Sequence, residues 1–442
     1  MLKRSLYWMT AVVLGALVVT SAHAVPSMGR QTGYECSKCH TVFPMLTPFG
    51  REFKLGGFSM TSKKFDELPL LDRIPVSGLL QVSYSKTRNT TTQEPTDEFM
   101  RNREVIVQAV GAYLGGRIVD NAGALIQYNW DGIERKWGME MFDARYANEI
   151  GLGGKELVLG VTTNNNPTLS DIHNSTPVWA FPHTDSATVM PAASTLIDMT
   201  LASQVGGIGG YGMWGDLLYG EVAVYHTAKK GFWRFMGLGV PTETVVDGNA
   251  PYWRFALQHE AEPHSFHIGT YGMNGAVLSD PEDASIGSDR FRDFGLDAGY
   301  EYLQGDHSLS THATWIYEKQ YWNSSYPQGL SSSPSTVLKT FRADVHYFYR
   351  RQLGGILQYF NTNGDANDLH YNTGEPVTGS ANGSPNSRGW VAELNYLPIQ
   401  NVKLAVRYTA YQQFNGASSN YDGFGRNAKD NNSVFLLAWL LL

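Results

Sequence analysis

The sequence has few cysteines and few charged residues for its length. Two of its 442 residues are cysteines, so at most one disulfide could form within the chain. Charged residues make up only 17% of the sequence, which is unusual for a soluble two-domain enzyme of this size. The net charge of −7 argues against a nucleic-acid partner, because phosphate binding needs a basic surface.

Long apolar runs are missing beyond the first residues. Lys3 and Arg4 precede an apolar run over residues 6–19, and the small-residue site Ala22-His23-Ala24 follows it. This pattern predicts a signal peptide over residues 1–24, cleaved after Ala24. The alternative, a membrane anchor, would need about 20 apolar residues. No second apolar stretch of about 18 residues follows, so we expect no membrane-spanning helix.

Familiar catalytic motifs are also missing. The sequence has no P-loop, no G-x-S-x-G and no H-E-x-x-H. Residues 207–212 match G-x-G-x-x-G, but no helix follows them. We therefore predict a turn or strand bend between two strands there, and not a dinucleotide site.

The chain instead contains many short segments in which apolar and polar residues alternate. One such segment places Phe294, Leu296, Ala298, Tyr300 and Tyr302 on one face and Asp293, Gly295, Asp297, Gly299 and Glu301 on the other. A period of two predicts a strand between two environments. About sixteen strands can be placed, and they start near residues 76, 103, 121, 141, 155, 196, 216, 251, 265, 291, 307, 337, 352, 387, 402 and 432.

The links between these strands alternate between short and long. Short links fall near residues 151–154, 262–263, 304–306 and 398–400, and long ones include 164–194 and 363–386. Short periplasmic turns opposite long extracellular loops are typical of outer-membrane barrels, with their even strand number. The fold predicted is all-β, a transmembrane antiparallel barrel over residues 75–442. Aromatics near strand ends, namely Trp130, Trp253, Tyr302, Trp322 and Trp439, are assigned to the interfacial girdles.

The two cysteines belong to the sequence Cys36-Ser37-Lys38-Cys39-His40, which is C-x-x-C-H. This is the attachment signature of a c-type haem, with two thiols for the vinyl groups and a histidine for the iron. Three alternatives are weaker. A redox-active C-x-x-C would need a thioredoxin-like βαβ unit, a zinc site would need further ligands, and a disulfide would not need His40.

The second axial ligand of the haem iron remains open between several candidates. Met45 lies only five residues beyond His40, which makes the opposite haem face hard to reach. Met60 follows the pair Gly56-Gly57, where the chain can turn back, and it is the preferred candidate. Met60 as packing, or a barrel histidine as the ligand, are the alternatives.

Residues 25–74 are few for enclosing a haem on their own. We therefore expect this monohaem segment to be a short helical or irregular plug, seated by the barrel at the periplasmic side or in its lumen.

Two histidine-containing groups are candidate metal sites. His264 and His267 differ by an odd number on a strand and should face opposite sides, which makes them a poor pair. Asp171, His173, His183 and Asp185 fall in one long loop and could ligate a metal, although solvated loop residues are the commoner interpretation.

Two stretches resemble the fused monohaem cytochrome–porins, known as outer-membrane iron(II) oxidases of iron-oxidising bacteria. The first stretch runs over residues 31–60 and contains Gln31, Thr32, Gly33, Cys36, Cys39, His40, Phe43, Pro44, Leu46, Thr47, Phe49, Gly50, Arg51, Phe53, Lys54, Gly57, Phe58, Ser59 and Met60. The second is Asn166-Pro167-Thr168 with residues 176–182. Elsewhere the likeness is only one of architecture and composition.

The resemblance implies one covalent haem on Cys36 and Cys39, with His40 as proximal and Met60 as distal iron ligand. It implies that extracellular Fe(II) donates electrons and that periplasmic cytochromes accept them. The activity would then be that of an iron(II) oxidase within the outer membrane. An electron conduit for another donor or acceptor is an alternative, and a haem-plugged solute or metal-uptake porin is a weaker one.

Overall fold

A computed structural model describes residues 26–61, 75–89, 103–132, 135–167, 169–173, 189–228, 231 and 244–442. The predicted signal peptide, residues 1–24, lies outside the described residues. Residues 62–74 also lie outside them, so the boundary predicted between residues 74 and 75 stays a prediction. No helix among the described residues is long and apolar enough to cross a membrane.

Residues 26–61 form three short helices and one small hairpin. Helix α1 is Pro26–Thr32, α2 is Cys36–Cys39 and α3 is Pro48–Leu55. Strands β1, His40–Val42, and β2, Met45–Leu46, pair antiparallel between α2 and α3. We name residues 26–61 the plug, because their contacts lie on the inner wall of the barrel, as shown below.

Sixteen strands of the described residues form one closed antiparallel barrel. Each strand pairs with its neighbours in sequence, and β18 pairs with β3 to close the ring. The strands are β3 Val76–Thr87, β4 Val105–Val119, β5 Ala122–Asp131, β6 Lys136–Leu152, β7 Lys155–Asn164, β8 Gly206–Trp214, β9 Leu218–His226, β10 Ala250–Ala261, β11 His264–Leu278, β12 Ser288–Gln304, β13 His307–Tyr321, β14 Ser335–Tyr349, β15 Leu353–Gly364, β16 Ser387–Ile399, β17 Val402–Gln413 and β18 Ser433–Leu441. The predicted fold class and the even strand number are confirmed.

The connections sort by length onto the two ends of the barrel. One end, the short-turn end, carries turns of two or three residues at 120–121, 153–154, 215–217, 262–263, 305–306, 350–352 and 400–401. The other, the long-loop end, carries the remaining links, among them 165–205, 365–386 and 414–432. The predicted alternation of short and long links is therefore correct.

The two faces of the barrel wall differ in polarity as the alternation predicts. Outward-facing apolar side chains are well exposed, as for Ile208, Ile268 and Leu394. Inward-facing residues of β12, such as Asp297 and Glu301, are buried. An apolar exterior around a polar interior is what a barrel in a lipid bilayer requires.

Two predicted strand starts are displaced. The start placed near residue 141 lies five residues inside β6, which begins at Lys136. The strand placed near residue 196 is a π-helical turn, Leu196–Thr200, and β8 begins ten residues later at Gly206. Leu196 and Ile197 are buried against Tyr252 and Tyr271 of the inner wall. Wall carboxylates accept from their backbone amides, Glu318 from Leu196 (2.6 Å) and Asp293 from Ile197 (2.8 Å). These apolar residues therefore pack inside the barrel, and their run does not mark a strand.

The glycine-rich segment at residues 207–212 was also misplaced, because it lies within β8 and not between strands. A side chain at Gly207 would collide with the ring of Tyr225, and one at Gly209 would crowd Ala223. The glycines leave room for the side chains of the neighbouring strand.

Two of the aromatics assigned to the interfacial girdles point inward. Trp322 is 4% exposed and its indole N–H donates to Thr336, while Trp439 is 8% exposed and lies against Phe43 of the plug. Residues 435, 437, 439 and 441 share the inner face of β18. The strand is apolar on both faces because the plug covers its inner face.

Candidate functional site: the plug and the inner wall

The plug contacts the inner wall at many points around the short-turn end. In α1, the Ser27 hydroxyl donates to the carbonyl of Gly115 (2.6 Å), at the end of β4. On the far side of the ring, the Arg51 guanidinium of α3 donates to Glu301 of β12 (2.8 Å). The Tyr211 hydroxyl of β8 donates to the carbonyl of Leu55 (2.7 Å). The described part of the N-terminal segment therefore lies inside this end of the lumen and contacts opposite sides of the wall, as a plug is predicted to do.

Helix α2 is the single turn that carries the C-x-x-C-H motif. Cys36 and Cys39 stand three residues apart on this turn, which puts their side chains on the same side of it. His40 follows at once, as the first residue of β1. The turn thus gathers two thiols and one imidazole within five residues.

Two side chains from neighbouring turns of the barrel hold α2 in place. Gln400, between β16 and β17, accepts from the amide of Cys36 (2.8 Å) and donates to the carboxylate of Glu35 (2.7 Å). Arg351, between β14 and β15, donates to the carbonyl of Ser37. The motif is therefore fixed to the barrel on the side where the last strands close the ring.

Helix α3 packs directly on the motif turn. Thr47 caps this helix, because its hydroxyl accepts from the amide of Gly50 (3.2 Å), and the same hydroxyl donates to the carbonyl of Lys38 (2.6 Å). A side chain at Gly50 would collide with the carbonyl oxygen of Cys39. Only glycine permits so close an approach of the two backbones.

An apolar stretch of the inner wall faces the motif. Cys36 and Phe43 of the plug share one buried cluster with residues of β3, β4, β17 and β18. The wall residues of this cluster are Leu79, Ala109, Tyr113, Ala405, Phe435, Leu437, Trp439 and Leu441. The interior of a transmembrane barrel is normally polar, so this stretch is unusual for a channel wall.

Burial sets the ionisation of the motif. It raises the pKa of Cys39 to about 11, although the nearby Lys38 acts to lower it. This raised pKa keeps the Cys39 thiol protonated at neutral pH. Burial lowers the pKa of His40 to about 4, which keeps its imidazole neutral at neutral pH. A neutral imidazole is the form that ligates metals.

Met60 lies at the end of the described part of the plug. The side-chain amide of Gln31 donates to the carbonyls of Phe58 (2.9 Å) and Met60 (2.7 Å), and so ties this end back to α1. Gly57 adopts a positive φ of 67°, in agreement with the expected reversal of the chain. The side chain of Met60 is partly exposed, and its assignment as a ligand stays a prediction.

The link between β7 and β8 is described at residues 165–167, 169–173 and 189–205, and we name these residues the inner loop because they contact the inside of the barrel. The Lys54 ammonium of α3 donates to the carbonyls of Leu169 (2.7 Å) and Asp171 (2.9 Å). Asp171 also pairs with Arg254 of β10 (3.1 Å), whose guanidinium binds Asp297 through two nitrogens (2.9 and 2.8 Å). The inner loop is thus joined to both the plug and the wall.

Asp171 and His173 are therefore not the solvated loop residues that the commoner interpretation expected. Asp171 is fully buried and His173 is 3% exposed, with its ring stacked on that of His267 at 4.1 Å. His183 and Asp185 lie outside the described residues, so the four-residue metal group stays untested. His264 is exposed on the outer face, while His267 faces inward, so the expected separation of that pair is correct.

A second group of metal-ligating residues was missed by the sequence analysis. His312 of β13 and Asp344 of β14 are register partners, and His346 lies two residues further along the same inner face. Their potential ligand atoms all lie within 4.8 Å of one another. The spacing of Asp344 and His346 on an alternating strand was visible in the sequence, but His312 joins them only through the strand register.

Comparison with known proteins finds similarity only among solved structures. No family model matches the sequence, and no curated protein matches it. Similar structures include the outer membrane channel DcaP of Acinetobacter baumannii (TM-score 0.44, 13% identity, 83% of this chain and 96% of that one). Salmonella typhi OmpF, in a complex with daunomycin, gives a TM-score of 0.45 and 12% identity, over 83% of this chain and 97% of that one. A loop L8 deletion mutant of OmpT from Vibrio cholerae gives a TM-score of 0.43 and 10% identity, over 83% of this chain and 98% of that one. The fold of this chain is assigned from its own strand pairing.

Proposed function

We propose that this chain is an outer-membrane electron-transfer protein that carries one covalent c-type haem on its plug. The haem would be held by Cys36 and Cys39, with His40 as proximal iron ligand and Met60 as distal ligand. Electrons would come from extracellular Fe(II) and would leave to cytochromes in the periplasm. The observation that carries this proposal is the position of the C-x-x-C-H turn, which lies at one end of a closed barrel and faces an apolar wall.

The residues around the motif fit such a group. The two thiols lie on one side of a helical turn, which is the arrangement that two thioether bonds need. The apolar cluster formed with Phe43, Leu79 and Trp439 offers a surface suited to a flat hydrophobic macrocycle. When bound, a haem supplies a one-electron carrier whose potential depends on its axial ligands and burial.

The orientation of the barrel follows from its connections. Long loops face the exterior in bacterial outer-membrane barrels, and short turns face the periplasm. The plug would then stand at the periplasmic mouth, within reach of a soluble carrier. The contacts of Gln400 and Arg351 with the motif turn, and the side-chain pair of Arg51 and Glu301, would hold it there.

Anaerobic titration of the purified protein with Fe(II), followed at the haem α-band, tests the function. We expect the oxidised haem to become reduced in proportion to the Fe(II) added. A chain that binds haem but stays oxidised would exclude iron as the donor. A chain without a haem-stained band would exclude the proposal as a whole. The control is a Cys36→Ala/Cys39→Ala variant, which should form the barrel without a haem-stained band.

An electron conduit with another extracellular donor or acceptor shares every structural feature used above. It predicts a haem-stained protein that a different donor reduces faster than Fe(II) does. A metal-uptake porin is the second candidate function, and the inward-facing group of His312, Asp344 and His346 is the observation that favours it. It predicts that metal ions pass through the intact protein into liposomes. A plugged electron-transfer barrel would not let ions pass.

A further inference from the structure

His312, Asp344 and His346 form one compact group on the inner wall. The Nδ1 atom of His312 lies 2.9 Å from Oδ1 of Asp344, and Nε2 of His346 lies 2.9 Å from the same oxygen. All three residues face the lumen, and the side chains of the two histidines are 10% and 2% exposed. Two imidazoles therefore converge on one carboxylate in a buried position.

Two strands hold this group rigidly. Asp344 and His346 project from the same face of β14 because side chains alternate along a strand. His312 stands directly opposite Asp344 in the antiparallel register of β13 and β14. Ligands on paired barrel strands have little freedom to separate, which is a favourable basis for a metal site.

Two histidines and one carboxylate are a well-known ligand set for divalent first-row metals. Imidazole suits iron, zinc, nickel and copper, and two histidines with one carboxylate are typical of non-haem Fe(II) sites. A tetrahedral ion with ligands at about 2.1 Å holds them about 3.4 Å apart. Small side-chain rotations would bring atoms that lie within 4.8 Å into this range.

The group lies next to the plug, on the side towards the long loops. Phe348, the next inward-facing residue of β14, is buried against Val42 and Met45 of the plug. His346 precedes it by two residues, about 7 Å along the strand. An ion at this group would therefore lie in the lumen just beyond the plug.

The charges around the group favour a cation only moderately. Glu301 of β12 brings a carboxylate nearby, but it is already paired with Arg51 of the plug. Arg342, two residues before Asp344, pairs with Asp198 of the inner loop. The nearby charges are thus largely neutralised in pairs, and the two imidazoles and Asp344 itself provide the ligands.

We infer that His312, Asp344 and His346 bind one divalent first-row transition-metal ion on the inner wall of the barrel. All three ligands belong to barrel strands, so the site does not depend on the proposed haem. Its chemistry admits Fe(II), the donor proposed above, as well as Zn(II).

Zn(II) is the probe that separates this site from haem iron. The purified full-length protein is dialysed to equilibrium against Zn(II), and bound zinc is counted by elemental analysis. We expect one zinc ion per chain that is lost, or bound at least about tenfold more weakly, in His346→Gln and in Asp344→Asn. The matched control is His264→Gln, which removes an exposed outer-face histidine of β11 and should bind as the wild type does.

The variants must form the barrel, which heat-modifiable migration on a gel would show. Unchanged zinc binding in both folded variants would place the ion elsewhere and overturn the inference. X-ray absorption spectroscopy at the zinc edge tests the ligands of the zinc-loaded wild-type protein directly. We expect it to show two imidazole ligands. No bound zinc, or a coordination shell without imidazole, would equally overturn it. Haem reduction by Fe(II) is measured separately, so failure of either proposal leaves the other standing.

Discussion

Gly50 is the residue at which α3 and the motif turn come closest. We expect Gly50→Ala to force the two apart, because the added methyl would overlap the carbonyl oxygen of Cys39. Overpacking of this kind costs about 1–3 kcal/mol. Hydrogen exchange of the plug peptides should therefore speed up by a factor of about 5 to 150.

Gly56→Ala is the matched control for this change. A Cβ atom at Gly56 would meet its nearest neighbour, the carbonyl oxygen of Glu52, at 3.5 Å, which is an ordinary contact. Its φ of −72° suits alanine. Equal exchange rates in the two variants would contradict the role given to Gly50.

Met60 is a single residue on which the potential of the proposed haem depends. A methionine ligand raises the potential, so Met60→Ala should lower it, by on the order of 0.1 V within the range of about 0.8 V that axial ligands span. Spectroelectrochemical titration measures the midpoint. Met45→Leu, a volume-conserving change at a buried position, should leave the midpoint unchanged. A midpoint that Met60→Ala does not move would assign the distal position to another residue.

The sequence specified single residues only where chemistry needs a fixed spacing. Cys36, Cys39 and His40 form such a motif, and the structure places the two cysteines on one turn with His40 directly after it. The inward position of Trp439 could not be predicted, since an aromatic near a strand end has the same sequence signal on either face. The pairing of His312 with Asp344 needed the strand register, which local periodicity does not contain.

Among the elements, α3 depends most on the buried pair between Arg51 and Glu301. Loss of one partner leaves the other charge buried and unpaired, which costs about 3–5 kcal/mol. We expect Arg51→Gln to loosen the plug and raise the ion conductance of the protein in planar bilayers. Arg350→Gln is the control, because its pair with Asp306 is exposed and should contribute about 0–1 kcal/mol. Similar conductance for the two variants would argue against this docking contact.

Lys54 gives the contact between α3 and the inner loop a pH dependence. Burial lowers its pKa to about 7, whereas the ordinary value is 10.5. We call α3 docked when Lys54 is buried against the inner loop, and undocked when Lys54 is in water. Between pH 7 and pH 10.5 Lys54 holds its proton in the undocked state and tends to lose it in the docked state. Docking therefore becomes more favourable as the pH rises. The gain is at most about 1.4 kcal/mol for each pH unit.

The measurement is the protection of residues 169–173 against hydrogen exchange at pH 6.5 and pH 8.5, corrected for the intrinsic effect of pH. Protection should rise with pH in the wild type. It should rise less in Lys54→Met, which cannot titrate at this position. An equal rise in both proteins would mean that another group is responsible.

Strand positions were predictable from the sequence because apolar and polar residues alternate between the outer and inner faces of the wall. The strand placed near residue 196 was wrong for a physical reason. Leu196 and Ile197 are apolar because they pack against the inner surface of the barrel. A short apolar run looks the same in the sequence whether it forms a barrel strand or packs against the inside of one.

At the scale of the whole molecule, the plug should close the pore. Liposomes that contain the intact protein should swell slowly in sugar solutions, because the plug lies across one end of the lumen. A variant without residues 25–74 should swell faster, provided that its heat-modifiable migration shows a folded barrel. Fast swelling with the intact protein would contradict a closed pore and favour the uptake function.

The enclosure of α2 also has a consequence for the order of assembly. The plug precedes every barrel strand in the chain, yet Phe43 packs against Trp439 of the last strand. Cys36 is 6% exposed once β18 has joined β3, so an enzyme could no longer reach its thiol. We therefore expect attachment of the proposed haem at this cysteine to precede closure of the barrel. Membrane insertion would then enclose the already modified plug, so the proposed cofactor would have to be in place before the barrel closes.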